Sequence, residues 1–247
     1  MLTIAIAAHA GGVGKTTTAQ FLERGLADRH SGLLIDLDPQ ASLSAQFADF
    51  LRHQPVDPRI QDVLAGRNRL IEAMIPTGHG WRFVAAGVQL QETAAWLQHQ
   101  MVTHDHLQRA ITEYAMHNFS TEITLIDCPP AADILTINAL VASDYVIVPV
   151  IPEAKGLDGL FRMVELVEWL NDRGVANTGV LGCVITQIDW RTNLHNGFVQ
   201  RIRDGLVPVL AEIPMAKGRD QEARLAEAYK PLVETVSTLL EEDPSHA

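Results

Sequence analysis

Leu2-Thr3-Ile4-Ala5-Ile6-Ala7-Ala8, followed by Gly11-Gly12-Val13-Gly14-Lys15-Thr16-Thr17 and a helical pattern over 16–29, is the stretch that decides the fold. An apolar run, a glycine-rich loop and a helix, in that order, make the local context of a phosphate-binding loop. Glycines let backbone N–H groups turn inward around an anion where a Cβ would block the approach. The helix opening near Thr16 adds its positive dipole end. Lys15 is placed to neutralise β- and γ-phosphates, and the Thr16 hydroxyl to hold Mg²⁺. The stretch therefore predicts a nucleoside triphosphate site. Two positions depart from the common patterns. His9 stands where a first glycine is usual, and Ala10 stands where the variant loop carries a lysine before its glycine pair.

Two further apolar runs end in carboxylates: Leu33-Leu34-Ile35-Asp36-Leu37-Asp38-Pro39-Gln40 and Ile123-Thr124-Leu125-Ile126-Asp127-Cys128-Pro129-Pro130. Both reach the phosphate loop if their strands neighbour the first one. An acid at a strand end holds Mg²⁺ in phosphate-loop enzymes, which suits Asp127, whereas Asp38 is better placed to orient an attacking water. The alternative is that each aspartate caps the helix that follows.

Working outward, strand-like runs at 2–8, 33–37, 81–86, 123–127, 145–150, 180–186 and 207–213 alternate with helical patterns at 16–29, 58–65, 88–101, 107–116, 134–141, 157–172, 194–204 and 221–240. Several runs are continuously apolar, as in strands buried on both faces. The expected fold is α/β: a doubly wound, mostly parallel sheet with helices on both faces, its ligand at the carboxyl ends of the strands. Asp57-Pro58 reads as an N-cap with proline at N1, and Gly66 as the residue closing that helix. No linker or repeat divides the sequence, so residues 1–247 are read as one domain.

The chain has 19 basic and 30 acidic residues, a net charge of −11. That argues against coating of nucleic acid by the whole surface, though not against a local basic patch. Two cysteines, Cys128 and Cys183, lie in apolar surroundings, which fits a reducing cytoplasm rather than a disulfide framework. No basic leader precedes the loop motif, and no apolar run reaches the roughly 18 residues of a membrane span.

Taken together, Gly11–Thr17, the D-x-D-P-Q pattern at 36–40, Asp127–Pro130, the stretch VPVIPEAKGLDG at 148–159 and Ile213-Pro214-Met215 resemble the ParA-type partition ATPases, a deviant phosphate-loop group. The resemblance implies an ATP- and Mg²⁺-dependent sandwich homodimer that binds nucleoid DNA non-specifically in the cytoplasm. A ParB-like or McdB-like adaptor would stimulate hydrolysis. Carried over by residue, Gly11, Gly12, Val13, Gly14, Lys15, Thr16 and Thr17 cradle the phosphates. Asp38 activates water, with Gln40 beside it, and Thr16, Asp38 and Asp127 serve the metal. Gln187, Pro214 and Met215 line the adenine, and Glu153 lies near the dimer face.

In that family the lysine before the glycine pair reaches the partner's nucleotide, which Ala10 cannot do. The chain has four lysines, and Lys155, after the run at 145–150, is the candidate replacement. A point charge there would offset charge developing at the γ-phosphate. Loss of the loop lysine also resembles the McdA-like branch that positions carboxysomes. The densest basic stretch holds Arg191, Arg201, Arg203, Lys217, Arg219 and Arg224. Arg191, Arg201, Arg203 and Arg219 are the candidate DNA contacts, against the alternative of a salt-bridged helical surface with interleaved acids. His104-x-His106 lacks further ligands for a metal site. The polar face of the C-terminal helical stretch is too acidic for membrane targeting. Two other functions stay open: a nucleotide-binding regulator or scaffold with little hydrolysis, kept alive by Ala10, and a metabolic phosphate-loop enzyme, disfavoured by Asp38-Pro39-Gln40.

Overall fold

A computed structural model describes residues 1–47, 58–77, 80–100, 104–117, 120–216, 218 and 220–242. The strands are β1 (Leu2–Ile6), β2 (Gly32–Asp36), β3 (Met74–Pro76), β4 (Arg82–Val84), β5 (Ile123–Asp127), β6 (Tyr145–Val150), β7 (Gly179–Ile188) and β8 (Val209–Pro214). They form one sheet in the order β3-β4-β2-β5-β1-β6-β7-β8. Every neighbouring pair is parallel except β3 with β4. Every residue of β1, β2 and β5 is buried. That is the physical basis of their unbroken apolar character: in a parallel sheet the crossovers cover both faces.

The helices, in chain order, are α1 (Lys15–Leu26), α2 (Ser42–Gln46), α3 (Ile60–Leu64), α4 (Leu90–Gln98), α5 (His106–Ala115), α6 (Ile134–Val141), α7 (Ala154–Asp172), α8 (Asn193–Arg203) and α9 (Gln221–Glu242). Successive strand residues point to opposite faces, and the core divides accordingly. Ile4, Ile6, Leu34 and Leu125 pack with Leu22 and Leu26 of α1 and with Tyr229, Leu232 and Val236 of α9. Ala5, Leu33, Ile35 and Ile126 pack on the other side with Leu64, Leu135, Leu160 and Met163. α1 and α9 lie so close that a Cβ added at Gly25 would stand 2.5 Å from Val233 Cγ2. The doubly wound arrangement expected from the alternating pattern is the one observed.

Some local expectations need correction. α3 starts at Ile60 with Arg59 as its N-cap, not at Pro58, and Asp57 lies outside the described residues. Gly66 does follow that helix, at φ +69°. Three short elements carried too few residues to show a period: α2, a 3₁₀ turn at Leu70–Ala73, and the antiparallel edge strand β3. The most consequential correction concerns β2. It does not neighbour β1, because β5 lies between them, with Ile6 and Asp36 each in register with Asp127. The residues after Asp36 therefore have to cross back over the end of β5 to approach the phosphate loop.

Candidate nucleotide site

The loop between β1 and α1 is built on two left-handed glycines, Gly12 at φ +72° and Gly14 at φ +92°. Other residues occupy that conformation reluctantly. Gly14 is also the N-cap of α1, so the unpaired N–H groups of the first turn open directly onto the loop. Lys15 folds back over it, and its Nζ donates to the Ala10 carbonyl at 3.1 Å. Only 6% of Lys15 is exposed. Burial lowers its pKa, opposed by the nearby carboxylates of Asp127 and Asp38. A desolvated ammonium of this kind is poised for an anion.

Beneath the loop, Thr16 Oγ1 donates to Asp127 Oδ2 at 2.7 Å. The other oxygen, Oδ1, is buried without a hydrogen-bond partner among the described residues. Burial pushes the Asp127 carboxyl up to about 7, against the Thr16 hydrogen bond that lowers it. An orphaned carboxylate oxygen beside a hydroxyl is a poor arrangement for a neutral core and a good one for a divalent cation held through oxygen or water. The residues present therefore fit Mg²⁺.

Asp36 supports the next wall. It is fully buried and pushed up to about 6, chiefly by burial. Its Oδ2 accepts from Ser44 N at 2.8 Å and from Ser44 Oγ at 2.6 Å, and its Oδ1 accepts from Asp38 N at 3.1 Å. Asp38 Oδ1 in turn accepts from Gln40 N at 2.8 Å. The helix-capping alternative thus fits Asp36, which satisfies the first turn of α2, but not Asp38, which tightens its own turn and faces the cleft.

The cleft has a volume of about 620 Å³. Of the residues singled out from sequence, Gly11, Gly12, Gly14, Lys15, Thr16, Thr17, Asp38, Gln40, Gln187, Pro214 and Met215 line it. Four others do not. Val13 is buried and offers only its carbonyl, to Thr186. Asp127 sits behind Thr16. Glu153 is the N-cap of α7 and Lys155 lies in its first turn, both exposed. Sequence reasoning missed Thr186, Gln221, Leu225 and Tyr229, which also line the cleft. Tyr229 stacks on Phe21, with centroids 4.9 Å apart, and its hydroxyl lies 3.0 Å from Thr18 Oγ1. No local signal joins residues so far apart in the chain.

Arg191 makes a double hydrogen bond to Asp189, at 2.7 Å for each nitrogen, and pulls that carboxyl down to about 2. Arg203 also makes a double hydrogen bond, to Glu212 at 2.6 and 2.7 Å. Arg201 is exposed on α8, 5.6 Å from the Phe198 ring centroid, and Arg219 lies outside the described residues. Among the described residues no cluster of His, Cys, Asp and Glu is spaced for a metal ion, His104 and His106 included, and no helix is long and apolar enough to cross a membrane.

The sequence matches a family described as an AAA domain over residues 1–179. It is 32% identical over 202 residues to the chromosome partitioning protein ParA of Caulobacter vibrioides, covering 81% of this chain and 74% of that one. It is 31% identical over 204 residues to the sporulation initiation inhibitor protein Soj of Bacillus subtilis, covering 81% and 78%. Among solved structures, the cobyrinic acid a,c-diamide synthase of Mycobacterium smegmatis with bound ATP analog and magnesium superimposes with a TM-score of 0.85 at 27% identity, covering 98% of this chain and 96% of that one.

Proposed function

The chain belongs to the ParA-type phosphate-loop ATPases, and from that premise we propose a positioning ATPase, residues 1–247 acting as one domain, that hydrolyses Mg²⁺-ATP in the cleft between the phosphate loop and the ends of β7 and β8. The observation that carries this reading is the Thr16–Asp127 pair with its orphaned buried oxygen, set under Lys15. Loop amides and Lys15 hold the phosphates. Pro214 and Met215 face the base. Thr16, Asp127 and Asp38 would hold Mg²⁺, which would supply positive charge to offset the negative charge developing on the phosphates. Asp38 orients the attacking water and takes its proton toward the carboxylate.

In this reading ATP joins two copies face to face. Lys155, exposed in the first turn of α7 beside Glu153, reaches the partner's phosphates in place of the lysine missing at Ala10. The dimer holds nucleoid DNA through phosphate contacts with Arg201 and, once freed from their carboxylates, Arg191 and Arg203; Arg219 completes the set. A ParB-like or McdB-like adaptor stimulates hydrolysis, and the cargo is a plasmid, a carboxysome or another large assembly in the cytoplasm. Ala10 favours a second reading, a nucleotide-binding regulator or scaffold with little hydrolysis.

Light scattering after size exclusion, with and without Mg²⁺-ATP, separates the two when run beside phosphate release. A monomer-to-dimer shift with turnover supports the ATPase. A shift with no turnover moves the regulator to first place, and no nucleotide binding at all removes both.

A further inference from the structure

We infer that Thr186 and Gln187 are positioning residues that hold the phosphate loop from its outer side, and that Gln187 acts on phosphate binding rather than on the base. β7 and β8 lose register here: Ile185 pairs with Glu212, but Ile188 pairs with Pro214, so β7 carries one extra residue. Such a bulge re-aims side chains, and bulges gather beside functional sites. Gln187 sits within it at φ +55°, a left-handed conformation that among the described non-glycine residues only Ala41 shares. A side chain stays in that region when its surroundings hold it there.

What holds it is the loop. Gln187 Nε2 donates to the Gly12 carbonyl at 2.5 Å, and Thr186 Oγ1 donates to the Val13 carbonyl at 2.8 Å. Two consecutive donors thus grip two consecutive carbonyls. Because a trans peptide is planar with N–H and C=O opposed, fixing these carbonyls turns the N–H groups of Val13 and Gly14 to the other side. Inward-turned amides are what an anion needs. The grip is close, since a Cβ added at Gly14 would stand 3.3 Å from Thr186 Cγ2. The family resemblance sets Gln187 beside the adenine, but one N–H of its amide is held by the Gly12 carbonyl of the loop.

The inference rests on the nucleotide-binding reading above. Its test is calorimetric titration of the full chain, as wild type, Gln187→Ala, Gln187→Gly and Thr186→Val, with Mg²⁺-ATP, Mg²⁺-GTP and Mg²⁺ with inorganic triphosphate. Each variant should weaken all three ligands by a common factor, roughly three- to tenfold for one lost neutral hydrogen bond. The ATP-to-GTP ratio should not move. Gln187→Gly relieves the backbone but keeps the loss, so it should match Gln187→Ala. A loss confined to ATP would make Gln187 a base contact and overturn the inference. So would unchanged binding in every variant, or wild-type binding restored by glycine alone. A wild type that binds none of the three ligands overturns the nucleotide reading itself.

Discussion

The Thr16 hydroxyl and the Asp127 carboxylate, 111 residues apart in the chain, meet at 2.7 Å where α1 begins and β5 ends. The contact ties the phosphate loop to the central strand and leaves Asp127 Oδ1 with nothing among the described residues to bond. Asp127→Asn keeps the shape but removes the charge. It should weaken Mg²⁺-dependent ATP binding about 10–100-fold, the range seen when a carboxylate supporting a metal is lost, and leave metal-free binding nearly unchanged. Titrations in Mg²⁺ and in a chelator decide it; equal losses in both would mean the carboxylate serves the fold alone.

The two raised carboxyls make the free protein sensitive to pH in a defined sense. The folded chain keeps the Asp36 proton to about 6 and the Asp127 proton to about 7, against an ordinary 3.8. Folding therefore binds protons, so this stability is full below the ordinary value and is lost as pH rises through 6 and 7. For Asp36 the amount is on the order of 3 kcal/mol. Without nucleotide or Mg²⁺, the denaturation midpoint should be higher near about pH 5 than near about pH 8. Asp36→Asn should flatten part of that slope, and an unchanged slope would remove Asp36 as a source.

Ser44 Oγ donates to Asp36 and accepts from Ala86 N at 2.9 Å, inside the protein. Ser44→Ala leaves Ala86 N unpaired and removes one of the two donors to Asp36 Oδ2, and should cost about 1–3 kcal/mol, a fall of several degrees in melting temperature at roughly 2–4 °C per kcal/mol. Calorimetric scans of the free protein check it.

Asp38 faces the cleft with Gln40 N fixing one oxygen. Asp38→Ala should lower the turnover rate about 10²–10⁴-fold, the usual worth of a positioned base, while ATP binding persists and the ATP dimer accumulates. Phosphate release and light scattering on the same sample separate the two effects. Dimer lost together with turnover would assign Asp38 to assembly.

Lys155 is exposed at the start of α7 and does not line the cleft of its own chain. Lys155→Ala should leave ATP binding to the monomer within about twofold, as for a surface change, and abolish ATP-dependent dimerisation. An unaltered dimer would remove the trans role.

The sequence by itself determined the doubly wound layout, because continuous apolar strands and 3.6-period helices are local patterns. It also marked Lys15, Thr16, Asp38 and Asp127, because loop glycines and strand-end carboxylates are written in consecutive residues. Only the tertiary structure decided that β5 separates β2 from β1, that Asp36 rather than Asp38 satisfies the start of α2, and that Tyr229 and Thr186 join the cleft wall. Strand order, and contacts such as Thr18–Tyr229 across 211 residues, follow from how two faces of a sheet are covered at once. A sequence window records which face is apolar, not what comes to cover it.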